Sequence, residues 1–420
     1  MADRHVEVFV ELGGVDVRAG DLWSLRRRGR ESATFSYATS YLERSDAYEL
    51  DPALPLVDGQ LQTAAEQALF GAFTDCAPDR WGRTLVKRAE RRRVEAANET
   101  ARSLGEIEYL LGVRDDMRQG ALRFRDPESR AFLTEESSGV PRLIALPRLL
   151  AASEREQRGE VRDADLEDLL RGGSSLGGAR PKAHVVDDDG RAAIAKFPSP
   201  ADDWDVMRWE AVALALALEA GISVPRSRLL DVGGRAVLLL HRFDRTATGD
   251  RLGYVSAMTM LEAEDGSPGS YLEIAEAIET RSAATSDELA QLWRRVAFSV
   301  LISNTDDHLR NHGFLRESTA GWSLAPAFDL NPEPGPGSKR LSTTIGFGDD
   351  GARIDLLLGV AADFRLNAEM AGRILGEVGA ATARWREVAA DHGLGPRAIE
   401  EMAPAFEHEQ AELVRSRATP

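Results

Sequence analysis

Residues Ser303–Gly313, here called the catalytic loop, read SNTDDHLRNHG and carry the most informative spacing in the chain. Asp306 precedes Asn311 by five positions, and Asp329 follows Asn311 by eighteen, within the sequence AFDL. Carboxylate and amide oxygens are ligands that suit Mg²⁺. An Asp-x4-Asn motif followed by a second aspartate is the order of the catalytic and metal-binding loops of protein kinases. The two motifs, before the proline-rich turn Asn331–Pro336, therefore predict a phosphoryl-transfer site.

The same loop allows two other interpretations. Asp307 is a rival of Asp306 as the catalytic acid, but the five-position spacing to Asn311 favours Asp306. His308 and His312 are four positions apart, so on a helix they could share a metal ion in a hydrolase that also uses Asp306. The glutamate of the H-E-x-x-H zinc motif is missing, however. We therefore interpret His308 as a residue that packs or hydrogen-bonds behind the catalytic loop.

A lysine and a glutamate upstream complete a kinase-like set. Lys196 ends a predicted strand and shares a face with apolar residues, from which it could reach nucleotide phosphates. Glu210 lies fourteen positions later in a mostly apolar helix, where an unpaired charge would be costly. A Lys196–Glu210 pair would correspond to the Lys–Glu pair of kinases. The alternatives are a solvated strand end for Lys196 and an exposed stripe shared with Asp203 for Glu210.

The segment Gly172–Lys182 reads GGSSLGGARPK. Its glycines allow the backbone to approach phosphates closely, so that amide groups can point at them. It is not a Walker A loop, because Lys182 is followed by Ala183 and not by serine or threonine. Taken alone, the segment is more typical of a flexible connection than of a phosphate cradle. Its place before Lys196 gives it the position of a kinase glycine-rich loop.

Composition narrows the class of protein. Of 420 residues, 43% are hydrophobic and 29% charged, which is ordinary for a globular chain of two or three domains. No run of about 18 apolar residues predicts a transmembrane helix, and the N-terminal sequence lacks a secretory pattern. The lone cysteine, Cys76, excludes an internal disulfide and fits a cytoplasmic protein.

The charge pattern argues against direct binding of nucleic acid. The net charge is −17, opposite in sign to that of most nucleic-acid binders, so any DNA contact is expected through a partner. The basic residues that cluster locally are interpreted as the solvated face of a helix. They are Lys87, Arg88, Arg91, Arg92 and Arg93.

The chain is predicted to divide into three parts, by its hydrophobic periodicity and its turn residues. They are an α+β subdomain at 1–125, an N-lobe with the glycine-rich loop at 126–245 that begins with a linker, and a mainly helical C-lobe at 246–420. Strands are predicted at 6–12, 33–37, 120–125, 183–186, 192–197, 228–231 and 235–242, the last four in two hairpins. Helices are predicted at 60–93 with interruptions near Pro78 and Gly82, and at 105–111, 163–170, 204–220, 272–279, 286–302, 368–378, 380–391 and 397–415.

Several segments together resemble the HipA family of bacterial toxin–antitoxin kinases. The most specific are ISNTDDHLRNHGF at Ile302–Phe314 and LAPAFDLNP at Leu324–Pro332. SLGGARPK at Ser175–Lys182, AIAKFP, and VLLLHRFDR at Val237–Arg245 also match. So do FSYATSYLERSDAYELDPALPL and FGAFTDCAPDRWGR nearer the N-terminus. The resemblance covers nearly the whole chain.

This resemblance implies an α+β, two-lobed, protein-kinase-like (HipA-like) fold with an N-terminal α+β subdomain and a mainly helical C-terminal lobe. It implies serine/threonine phosphorylation with ATP and Mg²⁺. Asp306 would be the catalytic acid with His308 beside it, and Asn311 and Asp329 would hold the metal. The residues expected to bind ATP are Ser174, Ser175, Gly177, Gly178, Ala179, Lys182, Lys196, Glu210, His241 and Phe243.

The resemblance also implies regulation and partners. A serine of the glycine loop is autophosphorylated in the family, and Ser175 is the aligned candidate, with Ser174 adjacent. A phosphate would add about −1.5 to −2 charges to a loop that holds ATP phosphates, so the loop would be ejected and the kinase inactivated. The implied partner is HipB, a helix-turn-helix antitoxin that would mediate DNA contact. The implied substrate is a translation component such as an aminoacyl-tRNA synthetase; a homodimer within the antitoxin complex stays open, and no membrane partner is expected.

Two departures from the family pattern stand out. His241 occupies a position where an acidic residue commonly precedes RFDR, and Arg180-Pro181 replace other polar residues in the glycine loop. The alternative function is a catalytically silent, kinase-like regulator that binds an antitoxin on DNA. The complete set of Asp306, Asn311, Asp329 and Lys196 argues against it.

Overall fold

The computed structural model describes residues 4–100, 103–133, 140–173, 180–264, 266–267, 269–346 and 348–418. The chain forms two compact units, each built from separate segments. The first comprises Met1–Pro200, Leu239–Glu262 and Leu315–Thr319, and the second comprises Ala201–Leu238, Ala263–Phe314 and Ala320–Pro420. The division into 1–125, 126–245 and 246–420 stays a prediction.

The structure contains strands and helices in nearly every part of the chain. The strands are β1 Arg4–Leu12, β2 Val15–Arg27, β3 Arg30–Tyr37, β4 Leu61–Gln62, β5 Leu122–Arg125, β6 Lys182–Val186, β7 Ala192–Lys196, β8 Ser227–Val232, β9 Arg235–His241, β10 Gly253–Ser256, β11 Gly269–Ser270, β12 Gly313–Ser318, β13 Gly321–Leu324 and β14 Thr343–Thr344. The helices are α1 Thr39–Leu42, α2 Gly71–Asp75, α3 Arg80–Ala97, α4 Glu106–Gly112, α5 Leu146–Gln157, α6 Asp163–Gly172, α7 Val206–Glu219, α8 Ala257–Met260, α9 Tyr271–Arg281, α10 Thr285–Leu301, α11 Ile354–Gly359, α12 Ala368–Ala383, α13 Trp385–Asp391, α14 Pro396–Phe406 and α15 Glu409–Ala418.

The first unit begins with a five-stranded sheet in the order β4-β3-β2-β1-β5. Its strand β1 confirms the strand predicted at 6–12 and pairs antiparallel with β2 and β5. Val6, Val8 and Val10 are buried, as the two-residue period of a strand requires. Phe9 points to the opposite face and is buried as well, because the ring of Phe132 meets it edge to face at 5.4 Å between centroids and Arg125 lies over it.

The helix predicted at 60–93 is wrong in its first part. β4 occupies two of these positions, and the helical residues belong to α2 and α3, with Pro78 between them. Gly82 does not interrupt α3. Its backbone N–H donates to Oδ1 of the N-cap residue Asp79 at 2.8 Å, so it lies in the first helical turn. Helix α5 was not predicted, although its leucines are buried.

The basic face of α3 is engaged in ion pairs within the first unit. Arg88 lies 2.9 Å from the buried Glu156, and Arg93 lies 2.8 Å from Glu90. Arg92 pairs with Asp163. Lys87, Arg91 and Arg93 are exposed, as expected of a solvated helix face, whereas Arg88 and Arg92 are partly buried.

Strands β6 and β7 confirm the first predicted hairpin. Lys182 lies opposite Lys196, and Val186 opposite Ala192. The turn between the strands is organised by Asp187, whose Oδ1 accepts backbone N–H groups of Asp189 and Arg191 at 2.9 and 2.8 Å.

The second unit is mainly helical. Helix α7 begins where Asp205 accepts the backbone N–H of Arg208 at 3.1 Å, and Gly221 follows its end with φ +76°. The hairpin of β8 and the start of β9 turns at two glycines with positive φ. Trp385 and Phe406 stack with their ring centroids 4.7 Å apart beside Trp209 of α7.

The long helix predicted at 397–415 is two helices, α14 and α15. Pro404 has no N–H to donate to the preceding turn, which weakens the helix near its end. The carbonyl of Ala405 accepts the hydroxyl of Ser303 at 3.0 Å. None of the described helices is long and apolar enough to cross a membrane.

Candidate active site

The two adjacent aspartates of the catalytic loop have opposite environments. Asp306 is exposed, whereas Asp307 is 4% exposed. The carboxylate of Asp307 accepts the hydroxyl of Tyr271 at 2.6 Å and that of Ser299 at 3.1 Å, and lies 3.2 Å from Nε2 of His312. Asp307 is therefore part of the interior support of the loop, and Asp306 is the carboxylate that can meet a substrate.

The Asp307 carboxylate is stabilised as an anion. Burial alone would raise its pKa, but His312 and the two hydroxyl donors outweigh burial and hold the pKa below its usual value. Burial and the neighbouring carboxylate raise the pKa of Tyr271 well above its usual value, so the phenol stays a donor. The ring of Tyr271 also meets that of His312 edge to face, with centroids 5.5 Å apart.

The backbone carbonyl of Asp306 organises the rest of the loop. It accepts the backbone N–H of His308 at 3.0 Å and Nδ2 of Asn311 at 3.0 Å. The second bond uses the amide nitrogen of Asn311 and leaves its Oδ1 as the atom suited to a cation. His308 is half-buried, and its Nδ1 is buried with no hydrogen-bond partner among the described residues.

Asp329 lies in a second loop, Ala325–Glu333, here called the Asp329 loop. Three hydrogen bonds join it to the catalytic loop: Ala325 N–H to Gly313 O at 2.8 Å, Asn331 N–H to Asn304 Oδ1 at 3.2 Å, and Glu333 N–H to Ser303 O at 3.3 Å. The two loops are thus held together at both ends.

Backbone strain marks both loops. Asp329 has φ +59° and Ser303 has φ +53°, a region that residues other than glycine rarely adopt. The Oδ1 atom of Asp329 accepts Nδ2 of Asn331 at 3.4 Å. The carbonyl of Ala325 accepts Nη2 of the buried Arg295, from α10, at 2.8 Å. Burial lowers the pKa of Arg295 to about 10, so the guanidinium remains charged at neutral pH.

The donor set fits Mg²⁺ better than a softer metal. Asn311 and Asp329 offer oxygen atoms, which are the ligands Mg²⁺ prefers. Among the residues that the structure describes, no three of His, Cys, Asp or Glu are grouped so that they could hold an ion. The zinc interpretation based on His308 and His312 therefore gains no support, and His312 lies beside Asp307.

Lys196 and Glu210 are both buried, at 9% and 1% exposure. The alternatives of a solvated strand end and an exposed helix stripe are therefore wrong. Lys196 lies at the end of β7 in the first unit, and Glu210 lies on α7 in the second. Their pairing stays a prediction.

Lys182 has a specific partner in the first unit. Its Nζ donates to Oδ2 of Asp79 at 2.7 Å, and both side chains are 4% exposed. Sequence reasoning missed Asp79, because nothing in the local pattern links a helix N-cap to a lysine 103 positions away. The expected contact of Lys182 with ATP stays a prediction.

His241 and Phe243 lie at and just beyond the end of β9. Nε2 of His241 is 2.7 Å from Oδ2 of Asp187, and the ring of Phe243 is 6.2 Å from that of Tyr254. Burial would raise the pKa of Asp187, but His241 and two backbone amides of its turn outweigh burial and hold the pKa below its usual value. An acidic residue in place of His241 would face this carboxylate, which explains why histidine suits this chain.

Five of the residues expected to bind ATP lie outside the described residues. They are Ser174, Ser175, Gly177, Gly178 and Ala179.

Two protein-family models match the chain. The HipA-like C-terminal domain matches residues 174–385, and the HipA N-terminal domain matches residues 15–105. A solved structure of HipA from Shewanella oneidensis MR-1, with HipB and operator DNA, has a TM-score of 0.69 at 15% identity. It covers 98% of this chain and 96% of that chain. This match confirms the expected α+β, two-lobed, protein-kinase-like (HipA-like) fold.

A second solved structure is less similar. The Helicobacter pylori proinflammatory kinase CtkA has a TM-score of 0.44 at 16% identity, over 58% of this chain and 93% of that chain. No curated protein matches the sequence.

Proposed function

The chain belongs to the HipA family, and on that basis we propose that it is an ATP- and Mg²⁺-dependent serine/threonine kinase acting as the growth-inhibiting toxin of a HipBA-type module. The observation that carries the proposal is the contrast within the catalytic loop. Asp306 is exposed on a loop whose interior side is fixed by the buried Asp307. Asn311 and Asp329 lie on two loops that are hydrogen-bonded to each other, and both have oxygen atoms of the kind that Mg²⁺ prefers.

Each residue has a defined part in the proposed reaction. Asp306 accepts or orients the proton of the acceptor hydroxyl, so that the oxygen can attack in line. Oδ1 of Asn311 and the carboxylate of Asp329 would hold Mg²⁺, which when bound would neutralise charge on the phosphates. Lys196 contacts the phosphates, and Glu210 is its partner. Because phosphoryl transfer depends mainly on positioning and electrostatics, the two joined loops supply what the chemistry requires.

We also propose that the chain is regulated through its glycine loop. In this proposal His241–Phe243 would line the adenine site, and the glycine-rich segment that begins at Gly172 would contribute to phosphate binding. Phosphorylation of Ser175, or of the adjacent Ser174, places a dianion where ATP phosphates would lie and expels the loop. The kinase would then switch itself off.

The proposed partner is a HipB-like antitoxin that contacts DNA. The structural relative solved with HipB and operator DNA supports this partner, as does the acidic charge of −17, which disfavours direct binding to DNA. The proposed substrate is a protein of translation, such as an aminoacyl-tRNA synthetase.

The test is incubation of the purified protein with γ-labelled ATP and Mg²⁺, beside Asp329→Asn, followed by mass-spectrometric mapping. We expect label on a glycine-loop serine in the wild type and none in the variant. Ser175→Ala should lose this label but still transfer phosphate to other proteins; label that persists would move the site to Ser174 or elsewhere. A wild-type protein that binds MgATP, starts without phosphate and takes no label would be a silent regulator instead.

A further inference from the structure

Both ends of the glycine loop meet residues from the N-terminal part of the first unit. Near the start of the loop, Gly173 has φ +59°, and a Cβ atom there would lie 2.3 Å from Sδ of Met117. At the end of the loop, the carbonyl of Lys182 accepts a hydrogen bond from Nε1 of Trp81 at 3.2 Å, and Nζ of Lys182 donates to Asp79 at 2.7 Å. The N-terminal region therefore frames the segment that is proposed to hold ATP phosphates.

Burying the charged side chains of Asp79 and Lys182 costs free energy that their ion pair must offset. Both side chains are 4% exposed, and a buried charge without its partner is strongly unfavourable. Asp79 has a second task, because its other oxygen accepts the backbone N–H of Gly82 and caps α3. One carboxylate thus ties the start of α3 to the start of β6.

The position of Lys196 gives this pair a functional meaning. Lys196 lies directly opposite Lys182 in the antiparallel β6–β7 pair, so the two side chains share a face. Like charges directly opposite each other repel, and both lysines are buried. Asp79 offsets one of the two positive charges and draws the Lys182 ammonium toward α3.

We propose that Asp79 is a positioning residue for the phosphate-binding lysine. By holding Lys182 at α3, it fixes the first residue of β6 and leaves Lys196 as the lysine that meets the nucleotide phosphates. Lys182 is then a structural residue and not a ligand of ATP. The inference rests on the proposed function, since it requires that this site binds a nucleoside triphosphate.

The decisive variant is Asp79→Asn, because asparagine caps a helix as well as aspartate does and only the charge is lost. The affinities of MgATP and adenosine are measured by calorimetry. We expect MgATP binding to weaken by on the order of tenfold, since small misplacements of charged groups cost that much or more. The affinity for adenosine, which has no phosphates, should stay within about twofold of the wild-type value. A general loss of structure would instead weaken the binding of both ligands.

Asp163→Asn is the matched control. Asp163 is the first residue of α6, and its exposed side chain forms an ion pair with Arg92 of α3, the helix that Asp79 caps. It should leave both affinities unchanged. Lys182→Met and the double variant Asp79→Asn/Lys182→Met complete a cycle. If Asp79 acts through Lys182, the double variant should bind MgATP no more weakly than either single variant.

Three outcomes would overturn the assignment. They are unchanged MgATP affinity in Asp79→Asn, equal weakening of MgATP and adenosine, and a Lys182→Met defect that adds to that of Asp79→Asn. The last would make Lys182 a direct phosphate ligand. If Asp79→Asn does not fold, the affinities of MgATP and adenosine are compared in the double variant. That variant removes both charges of the Asp79–Lys182 pair, so neither is left buried without its partner. Wild-type protein that fails to bind MgATP would instead refute the proposed function.

Discussion

The catalytic loop and the start of β6 each depend on a buried carboxylate, but the two are built over different lengths of chain. In the catalytic loop, Asp307 lies beside His312, five positions later, and accepts hydroxyls from the preceding helices α9 and α10. At β6, Lys182 binds Asp79, which is 103 positions earlier.

The two buried carboxylates therefore differ in how far along the chain their partners lie. The side-chain partners of Asp307 lie within 36 positions of it, although the hydroxyl of Ser303 in the same loop donates to the carbonyl of Ala405, 102 positions later. The start of β6 is held by Asp79, the N-cap residue of α3, which lies 103 positions earlier in the chain. We expect changes at Asp306 and Asp307 to affect the acceptor side of the proposed reaction or the stability of its loop, and changes at Asp79 to affect the binding of the ATP phosphates.

The largest effect is expected from Asp306→Asn. The exposed carboxylate is removed without altering any buried contact, so kcat for phosphoryl transfer should fall by roughly 10²–10⁴. The unfolding temperature should stay that of the wild type. A kinetic assay with thermal unfolding beside it tests both; a variant that keeps its activity would move the catalytic role away from Asp306.

Asp307→Asn should do the reverse and destabilise the fold. Loss of the buried anion leaves its donors without their charged acceptor, which should cost about 3–5 kcal/mol of unfolding free energy. The measurement is urea unfolding of both aspartate variants at several pH values. A variant as stable as Asp306→Asn would show that the buried network does not support the loop.

The pH dependence of this loss has a defined sign. The pKa of Asp307 is lowered in the folded state, so its stabilising contribution is present above about pH 4 and disappears as pH falls through the lower folded value. The difference in stability between wild type and Asp307→Asn should therefore be widest near neutral pH and narrow in acid. A difference that grows in acid would contradict this ionisation state.

Tyr271→Phe should produce a smaller version of the same loss. The phenol donates to Asp307 at 2.6 Å, and its removal leaves the Ser299 hydroxyl and His312 in place. A buried acceptor that loses one donor should cost roughly 1–3 kcal/mol. Urea unfolding measures this, and combining the change with Asp307→Asn should give less than the sum of the two effects. Full additivity would mean that the phenol acts elsewhere.

The same local–distant contrast explains what sequence could predict. The spacing of Asp306, Asn311 and Asp329, the β6–β7 hairpin and the extent of α7 follow from short-range patterns, and the structure contains these elements. Spacing favours Asp306 over Asp307 as the catalytic acid, and the structure adds that Asp306 is exposed and Asp307 buried; the catalytic role itself stays a prediction. The Asp79–Lys182 contact and the packing of helix α5 against Trp81 and Leu85 join distant segments, which local propensity does not encode. The break between α14 and α15 follows Pro404, a local signal that the prediction of one helix at 397–415 overlooked.

The smallest expected effect tests the basic face of α3, which belongs to the framework of the first unit. Arg88 lies 2.9 Å from Glu156, whose pKa is raised by burial even though Arg88 opposes the rise. Arg88→Met should cost about 1 kcal/mol, because the arginine is partly exposed and solvent screens the pair.

The cost should depend on pH, and Lys87→Met, on the exposed side of the same helix, is the matched control. Without Arg88, the pKa of the Glu156 carboxyl should be higher still. The loss of unfolding free energy therefore grows as pH rises through that pKa and Glu156 ionises, and it vanishes when Glu156 is protonated. Thermal unfolding at pH 4 and 7 should therefore separate Arg88→Met from the control at pH 7 alone. If both variants instead keep full stability at pH 7, the arginine is available to other partners, and the interpretation of this face as framework fails.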